Sequence, residues 1–513
     1  MKHTRPKSLL PAFLHAVLCM GTALSLVACY ADKGSEAGDS LPWVSSVKGI
    51  SADTYTLYQG DTLRLSPTVE FTRGADTTRY DYRWVVGRSE TISEQRRLEW
   101  PVSLPKGYAM AADIPGCLVV SDRATGLEYR QTFTFQVRSN YSPSSLIVYE
   151  TSDGRVEWMS MQGEPAAFTR WFDGMVRRIQ PDEPINGHCT GALYSTNELA
   201  IFTDNATDGG RCISLRNADA DAGFLYNVGE YTGHVVGNIY KGTSAALHVS
   251  NVVFGYGASK YLLSNGTLHV FNGLDKKLPI FDEQTFVKSR GVVQAMSSKQ
   301  FQRYKKATFV LHADGHVGCY HVYNDVMENV KVDGQPLVLD SLCGCFTEAT
   351  GMGSNQPYDV YLVGRHEGRY DLYQFHVDYV NRVVWPLRLV RRMTVDATLA
   401  RNVRCWWGSF GENYAFYTDG HTIWRFDYYE MEAFDPSAST PIVTLPAGEE
   451  LVDVFPLTPG LGLRDEDDCT VALVYNAQRG TSSVYVFDTV SGRVLRHYAD
   501  IIPGRAVYFT KCF

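Results

Sequence analysis

The feature that most constrains this chain is a hairpin that returns seven times. From residue 143 onward an apolar strand, a turn containing Gly and a second apolar or aromatic strand recur. The copies are Leu146–Tyr149 with Asp153-Gly154, Leu199–Phe202 with Gly209-Gly210, Tyr261–Leu263 with Asn265-Gly266, and Thr308–Leu311 with Asp314-Gly315. Three more follow: Val360–Val363 with Glu367-Gly368, Tyr414–Tyr417 with Asp419-Gly420, and Val471–Val474 with Arg479-Gly480. Taking Gly209 in the second copy and the last Gly elsewhere, the spacings are 55, 57, 49, 53, 52 and 60 residues. A strand precedes each hairpin but the first and a weaker one follows, as Asn402–Trp407 and Pro441–Leu445 do in the sixth. A hairpin cannot bury its apolar faces alone, so units of this length stack their sheets against one another. The pattern predicts an all-β chain whose residues 143–513 form a seven-bladed β-propeller with four strands per blade. The Asn-Gly and Asp-Gly tips predict type I′ turns, which need positive φ at both central residues.

The two ends of this region complement each other. The first hairpin has no strand ahead of it, whereas Ala506–Phe513 is an apolar strand with no blade of its own. An open ring would leave unpaired strand edges. Val507–Cys512 is therefore expected as the innermost strand of the first blade, beside Leu146–Glu150, closing the ring. The ligand face is expected at the end that carries the hairpin tips.

Residues 42–139 read as a separate β-domain. Tyr80-Asp-Tyr-Arg-Trp-Val and Gln131-Thr-Phe-Thr-Phe-Gln-Val alternate with period two, the mark of strands with one buried face. Short strands and frequent turns over about 100 residues suggest an immunoglobulin-like sandwich with Trp84 as its core aromatic. Cys117 is its lone cysteine, so the disulfide of antibody domains is missing.

The N-terminus reads as an address. Lys2, Arg5 and Lys7 precede an apolar stretch that ends in Leu26-Val-Ala-Cys29. A basic n-region, a short apolar h-region and small residues before the cut make residues 1–28 a secretory signal peptide. The tetrad is similar to a bacterial lipobox and implies lipidation of Cys29. Residue 30 is Tyr rather than Asp, so an inner-membrane retention signal is absent and an outer-membrane address is expected. Residues 29–41 are small and polar, a flexible tether. The mature chain carries 45 Lys and Arg against 56 Asp and Glu, a net charge of −11. That balance supplies no basic stripe for nucleic acid. Nine cysteines remain after Cys19 and Cys29, mostly within apolar runs, and are read as buried thiols.

Ser93-Glu-Gln-Arg-Arg-Leu, Pro101-Val-Ser-Leu, Ser121-Asp-Arg-Ala-Thr-Gly-Leu-Glu-Tyr and the Tyr80-x-Tyr82-x-Trp84 strand resemble the PKD-like domain of a Bacteroidetes lipoprotein family. The resemblance covers signal, tether and first domain, and the remainder in general layout. It implies a setting near TonB-dependent transporters and their lid lipoproteins, and it brings no catalytic signature.

No residue pattern marks an active site. His-Glu-x-x-His, a Walker loop and Gly-x-Ser-x-Gly are all missing from the sequence. Asn217–Gly223 has acidic spacing near that of a calcium loop, but its Gly falls one position late and its twelfth residue is Val228. It reads as a solvated acidic loop, as does Arg464–Asp468. His316, His366 and His421 lie at three successive hairpin tips. Metal–nitrogen bonds of ~2.0–2.1 Å require convergence, and tips on sheets packed ~10 Å apart do not converge. No metal or cofactor is expected.

Trp406 and Trp407, on the expected inner strand of the sixth blade, are the leading ligand candidates. Adjacent strand residues face opposite sides, so they either fill the inter-blade core or place one indole at the axial opening. Trp171 and Arg170, near the end of the first blade, are expected to line the same face. Three functions fit: capture of an extracellular nutrient (glycan, peptide or metal chelate) as a cell-surface accessory to a TonB-dependent system, a protein scaffold of the envelope, or a propeller glycosidase or lyase. Fold alone does not separate them. The tether and the resemblance favour capture without catalysis.

Overall fold

The computed structural model describes residues 43–58, 60–72, 77–138, 144–179, 181–182, 184–195, 198–205, 210–214, 234–238, 249–254, 259–272, 287–297, 307–321, 327–347, 357–380, 383–384, 387–395, 406–408, 414–427, 438–457, 469–489 and 491–512. The chain is all-β and divides into two compact units. The first comprises residues up to Tyr108 together with Ala112–Gln136; the second comprises Ala109–Ala111 and Val137–Phe513. Among the described residues no helix is long and apolar enough to cross a membrane.

The first unit is built on a five-stranded sheet in the order Tyr55–Tyr58, Glu128–Arg138, Ile114–Asp122, Tyr80–Val86, Glu90–Ser93, the last four of which pair antiparallel. Val44–Lys48 pairs with Thr68–Phe71, and Thr62–Leu65 pairs with Leu98–Pro101. Period-two alternation sends Tyr80, Trp84 and Val86 inward while Asp81 and Arg83 stay out. Trp84 is fully buried, meets Phe133 edge-on at 6.0 Å and donates its indole N–H to the Gln95 carbonyl at 2.9 Å. That bond satisfies the one polar atom the residue carries into the core.

The second unit contains seven four-stranded antiparallel sheets among the described residues. Sheet I consists of Arg505–Lys511, Ser145–Glu150, Val156–Gln162 and Arg170–Phe172. Sheet II is Cys189–Ser195, Glu198–Thr203, Gly210–Ser214 and His234–Asn238; sheet III is Val249–Phe254, Ser259–Ser264, Thr267–Asn272 and Val287–Arg290. Sheet IV is Val292–Ser297, Ala307–His312, Val317–His321 and Glu328–Asn329; sheet V is Ser341–Thr347, Tyr358–His366, Arg369–Val377 and Arg388–Val395. Sheet VI is Trp406–Gly408, Tyr414–Thr418, Thr422–Asp427 and Thr440–Thr444; sheet VII is Glu449–Leu457, Cys469–Asn476, Thr481–Asp488 and Val494–Ile502. In sheets II to VII the strands follow chain order, with the short pair Tyr379–Val380 and Val383–Val384 intervening before the last strand of sheet V. In sheet I the first strand comes from the C-terminus, with Ser145 opposite Lys511 and Glu150 opposite Arg505.

Sequence explains why these strands stack. The middle strands Ser145–Glu150 and Val156–Gln162 are buried on both faces; Leu146–Tyr149 reads as an unbroken apolar run, while Val156–Gln162 also buries Glu157, Ser160 and Gln162. The fourth strand Val494–Ile502 is mostly exposed and carries Arg496, His497 and Asp500. Each sheet packs on the next. Leu146, Val148 and Trp158 of sheet I meet Ala192, Leu199 and Ile201 of sheet II. The first strands of II and III adjoin. Tyr261 and Leu268 of III meet Ala295 and Val310 of IV, and Phe309 of IV shares a core with Leu362 and Phe375 of V. Tyr361 of V packs with Tyr417 and Phe426 of VI, and Phe416 of VI with Leu451 and Ala472 of VII. Finally Val471 and Val484 of VII pack with Ile147, Tyr149 and Phe509 of I.

The tips correct one expectation. Among the described tips, only Asn265-Gly266 and Glu367-Gly368 have positive φ at both central residues, at 48° and 71° and at 49° and 76°. At Asp153-Gly154, Asp314-Gly315, Asp419-Gly420 and Arg479-Gly480 the Gly alone is in the left-handed region. These are longer connections in which the acidic or basic partner keeps ordinary φ and Gly closes the turn.

Candidate functional site

The second strand of each sheet runs into its hairpin tip, and the first strand, being antiparallel to it, starts at that same end. Near its start the first strand carries one extra residue in six of the seven sheets. His312 and Leu311 are consecutive, yet their partners are Val292 and Gln294, so Val293 has none. By the same reading the extra residues elsewhere are Thr190 in sheet II, Ser250 in III, Cys343 in V, Val452 in VII and Val507 in I. A β-bulge re-aims a side chain and bends its strand. The first strands lie beside one another in the series VII, I, II, III, IV, V, VI, so the extra residues share one end of the unit.

These side chains are small and uncharged. Val293 is 53% exposed between buried Val292 and Ala295, and Ser250 is exposed. Thr190, Cys343, Val452 and Val507 are half-buried. The Thr190 hydroxyl is buried and has no hydrogen-bond partner among the described residues, whereas Ser250 donates to the Leu263 carbonyl at 3.2 Å. Burial pushes the Cys343 thiol up, away from the reactive thiolate. In sheets III and IV the residue after the extra one ties neighbouring sheets. Asn251 Nδ2 donates to the Ala295 carbonyl at 2.7 Å, and Gln294 Oε1 accepts from the Leu342 N–H at 2.8 Å.

Trp406 and Trp407 sit on the first strand of sheet VI opposite Tyr417 and Phe416. Those partners lie one and two residues before the pair that closes the hairpin, Thr418 with Ile423. Both tryptophans are thus level with the extra residues of the other sheets. Trp171 and Arg170 are not brought to them. They lie on Arg170–Phe172, the fourth strand of sheet I, at the edge opposite the first strand. The expectation of one shared face is corrected on this point, because the chain leaves the hairpin outward. Trp171 is 40% exposed and packs edge-on against Tyr498 of sheet VII, while the Arg170 guanidinium covers the Phe172 ring at 4.5 Å.

The three histidines stay apart in their partners. His316 Nδ1 is 3.0 Å from Asp314, and His366 Nδ1 is 4.0 Å from Asp340. The His421 backbone N–H donates to Asp419 at 2.9 Å. Among the described residues no group of three or more His, Cys, Asp and Glu side chains is placed to hold a metal. Cys117, Cys189, Cys319, Cys343, Cys345, Cys469 and Cys512 are free thiols. Cys29, the loop Asn217–Gly223 and Arg464–Asp468 lie outside the described residues.

The recurring bulge escaped the sequence reading. Its trace is an apolar residue two positions before a small or polar one at the head of a first strand: Val249-Ser-Asn251, Val292-Val-Gln294, Leu342-Cys-Gly344 and Leu451-Val-Asp453. One extra residue merely resets period-two alternation, so nothing in a single copy separates it from a loop end.

Residues 29–168 match the PKD-like family. No curated protein matches the chain. Among solved structures the chain is similar to a quinonprotein alcohol dehydrogenase-like protein from Bacteroides thetaiotaomicron, with 11% identity, a TM-score of 0.39, and 92% of this chain and 99% of that one covered. It is also similar to an apocarotenoid oxygenase mutant from Synechocystis, with 8% identity, a TM-score of 0.35, and 92% and 96% covered. A third similarity is to the Dos1 propeller, with 8% identity, a TM-score of 0.32, and 72% and 87% covered. The chain is an all-β protein whose N-terminal region carries a PKD-like domain.

Proposed function

We propose that the second unit is a closed seven-bladed β-propeller that captures an uncharged ligand, or an uncharged part of one, at the mouth that bears the hairpin tips. The observation behind this is the extra residue at the same level of six first strands, set beside Trp406 and Trp407 on the seventh. In a first strand both faces are taken by neighbouring sheets: Cys343, Val452 and Val507 pack in part against those inter-sheet cores, and Val293 and Ser250 are the extra side chains left exposed. A collar of Thr190, Ser250, Val293, Cys343, Val452 and Val507 offers apolar contact and hydroxyls without charge. An indole of Trp406 or Trp407 supplies a flat stacking surface. In this reading Cys29 carries the lipid, the protein stands on the outer membrane at the cell surface, and it passes a glycan, peptide or metal chelate to a TonB-dependent transporter and its lid lipoprotein.

Calorimetry of the full chain against oligosaccharides, peptides and iron chelates tests the reading. One class should bind and be recovered chemically unchanged. Val293→Asp places a charge in the collar at an exposed position and should weaken binding by ~2 kcal/mol. Trp406→Ala or Trp407→Ala should weaken it by ~1 kcal/mol or more. Steady product release would replace capture by an enzyme, and wild-type affinity in Val293→Asp would move the ligand elsewhere.

A further inference from the structure

The two most exposed large apolar side chains among the described residues are Trp43, at 62%, and Leu127, at 55%. They lie at one end of the first unit. The Trp43 carbonyl accepts from the Thr72 N–H at 3.0 Å, and the next residue, Val44, pairs with Phe71. The Phe71 ring lies 4.5 Å from that of Tyr80, which heads its strand opposite Asp122. Asp122 ends its strand, and its N–H donates to the Leu127 carbonyl across the turn. So the start of Val44–Lys48, the end of Thr68–Phe71, the start of Tyr80–Val86 and the turn 123–127 gather at a single end.

Among the described residues of this end, two ion pairs are neutralised in place. Arg79 forks onto Asp122 with two contacts of 2.5 Å, and that pair holds the Asp122 carboxyl well below the usual carboxylate range. Arg123 pairs with Asp81. Such paired charges leave the indole and the isobutyl group as the projecting features. The chain also enters the unit here. Trp43 lies fourteen residues after Cys29, a reach of at most about 50 Å at ~3.3–3.6 Å per residue.

We infer that this end of the first unit rests on a phospholipid surface, with Trp43 at the headgroup level and Leu127 beside it. Indoles favour that level because they are apolar in body and donate one N–H. The inference stands on the lipid-anchor reading, since an anchored Cys29 is what holds this end within reach of the bilayer.

The test uses the full chain recovered from membranes and reconstituted in vesicles of phosphatidylethanolamine and phosphatidylglycerol with brominated acyl chains. Tryptophan fluorescence should be quenched in wild type, and Trp43→Phe should remove that quenched component. Leu127→Asp, at an exposed site where folding is not at stake, should lower the quenching roughly twofold. Mass spectrometry of the N-terminal peptide reads the lipid on Cys29 separately. A lipidated chain whose quenching is the same in wild type and Trp43→Phe overturns the docking alone. An unlipidated Cys29 overturns the anchor, and the docking with it.

Discussion

Along the first strands the extra residue falls at the hairpin-tip end in six sheets and is always uncharged: Thr190, Ser250, Val293, Cys343, Val452 and Val507. The fourth strands, at the opposite edge, show no such uniformity. Five carry an extra residue, at Val236, Lys288, Val390, Ile442 and Leu495, and the other two are cut to three and two residues, Arg170–Phe172 and Glu328–Asn329. Arg388, Arg391 and Arg392 add charge to the longest of them but one. A free sheet edge invites pairing with another chain, and bulges, shortness and charge each prevent it. The outer edges use whichever device is at hand, as protection requires. Protection alone would allow the same variety at the inner edges. Their common level is what the proposed ligand collar would account for.

Deletion of single residues separates the two edges most strongly. Removing Val293 puts the head of its strand out of phase by one, so buried Val292 turns to the wrong face. The expected loss is ~3 kcal/mol in denaturant melts. Removing Val390 from the fourth strand of sheet V displaces exposed Arg388, half-buried Leu389 and buried Leu387 ahead of the strand, with a smaller loss of ~1–2 kcal/mol. Equal losses would mean that the two bulges do the same work.

A smaller effect is expected from the ties between first strands. Gln294→Ala leaves the Leu342 N–H without its acceptor and should cost ~1–2 kcal/mol in the same melts. Thr394→Ala, which removes a 3.3 Å bond to Asp371 at the outer edge, should cost about half of that or less.

Smallest is a pH effect in sheet VII, where one arginine spans both edges. Arg479 pairs with Glu449 at the head of the first strand at 3.0 Å and with Asp500 of the fourth at 2.8 Å. The Thr481 hydroxyl and then Arg479 hold the Asp500 carboxyl below its ordinary value, against the opposing effect of burial. A carboxylate with a depressed folded pKa adds stability above its unfolded value of ~3.9 and loses it as pH falls through the folded pKa. Asp500→Asn should therefore flatten the acid limb of the stability curve below about pH 4 and leave ligand affinity at neutral pH unchanged. A shift of affinity would show that the outer edge reaches the mouth.

The hairpins were legible because Gly-bearing turns between apolar runs announce themselves locally, as at Asn265-Gly266. The spare strand Ala506–Phe513 was legible for the same reason, since it is apolar and lacks a partner nearby in the chain. Trp84 could be placed from alternation alone. What sequence could not supply were relations between copies. The separation of Trp171 from Trp406 depends on which strand of a sheet is outermost, and both look alike as an indole after an arginine- or cysteine-bearing segment. The bulges depend on register against a partner strand, which period-two reading inside one strand does not contain.

The account turns on the last strand completing the first sheet, because only then do the first strands enclose a mouth. Arg505–Lys511 buries Ala506, Tyr508 and Phe509, of which Phe509 packs with sheet VII and Tyr508 with sheet II. Ending the chain at Gly504 removes about 6 kcal/mol of apolar burial and leaves Ser145–Glu150 as a free edge. Calorimetric melting of this truncated chain is the direct measurement. A single transition of the second unit lowered by ~10 °C or more is the expected result. Melting at the wild-type temperature would contradict the closed ring and, with it, the collar.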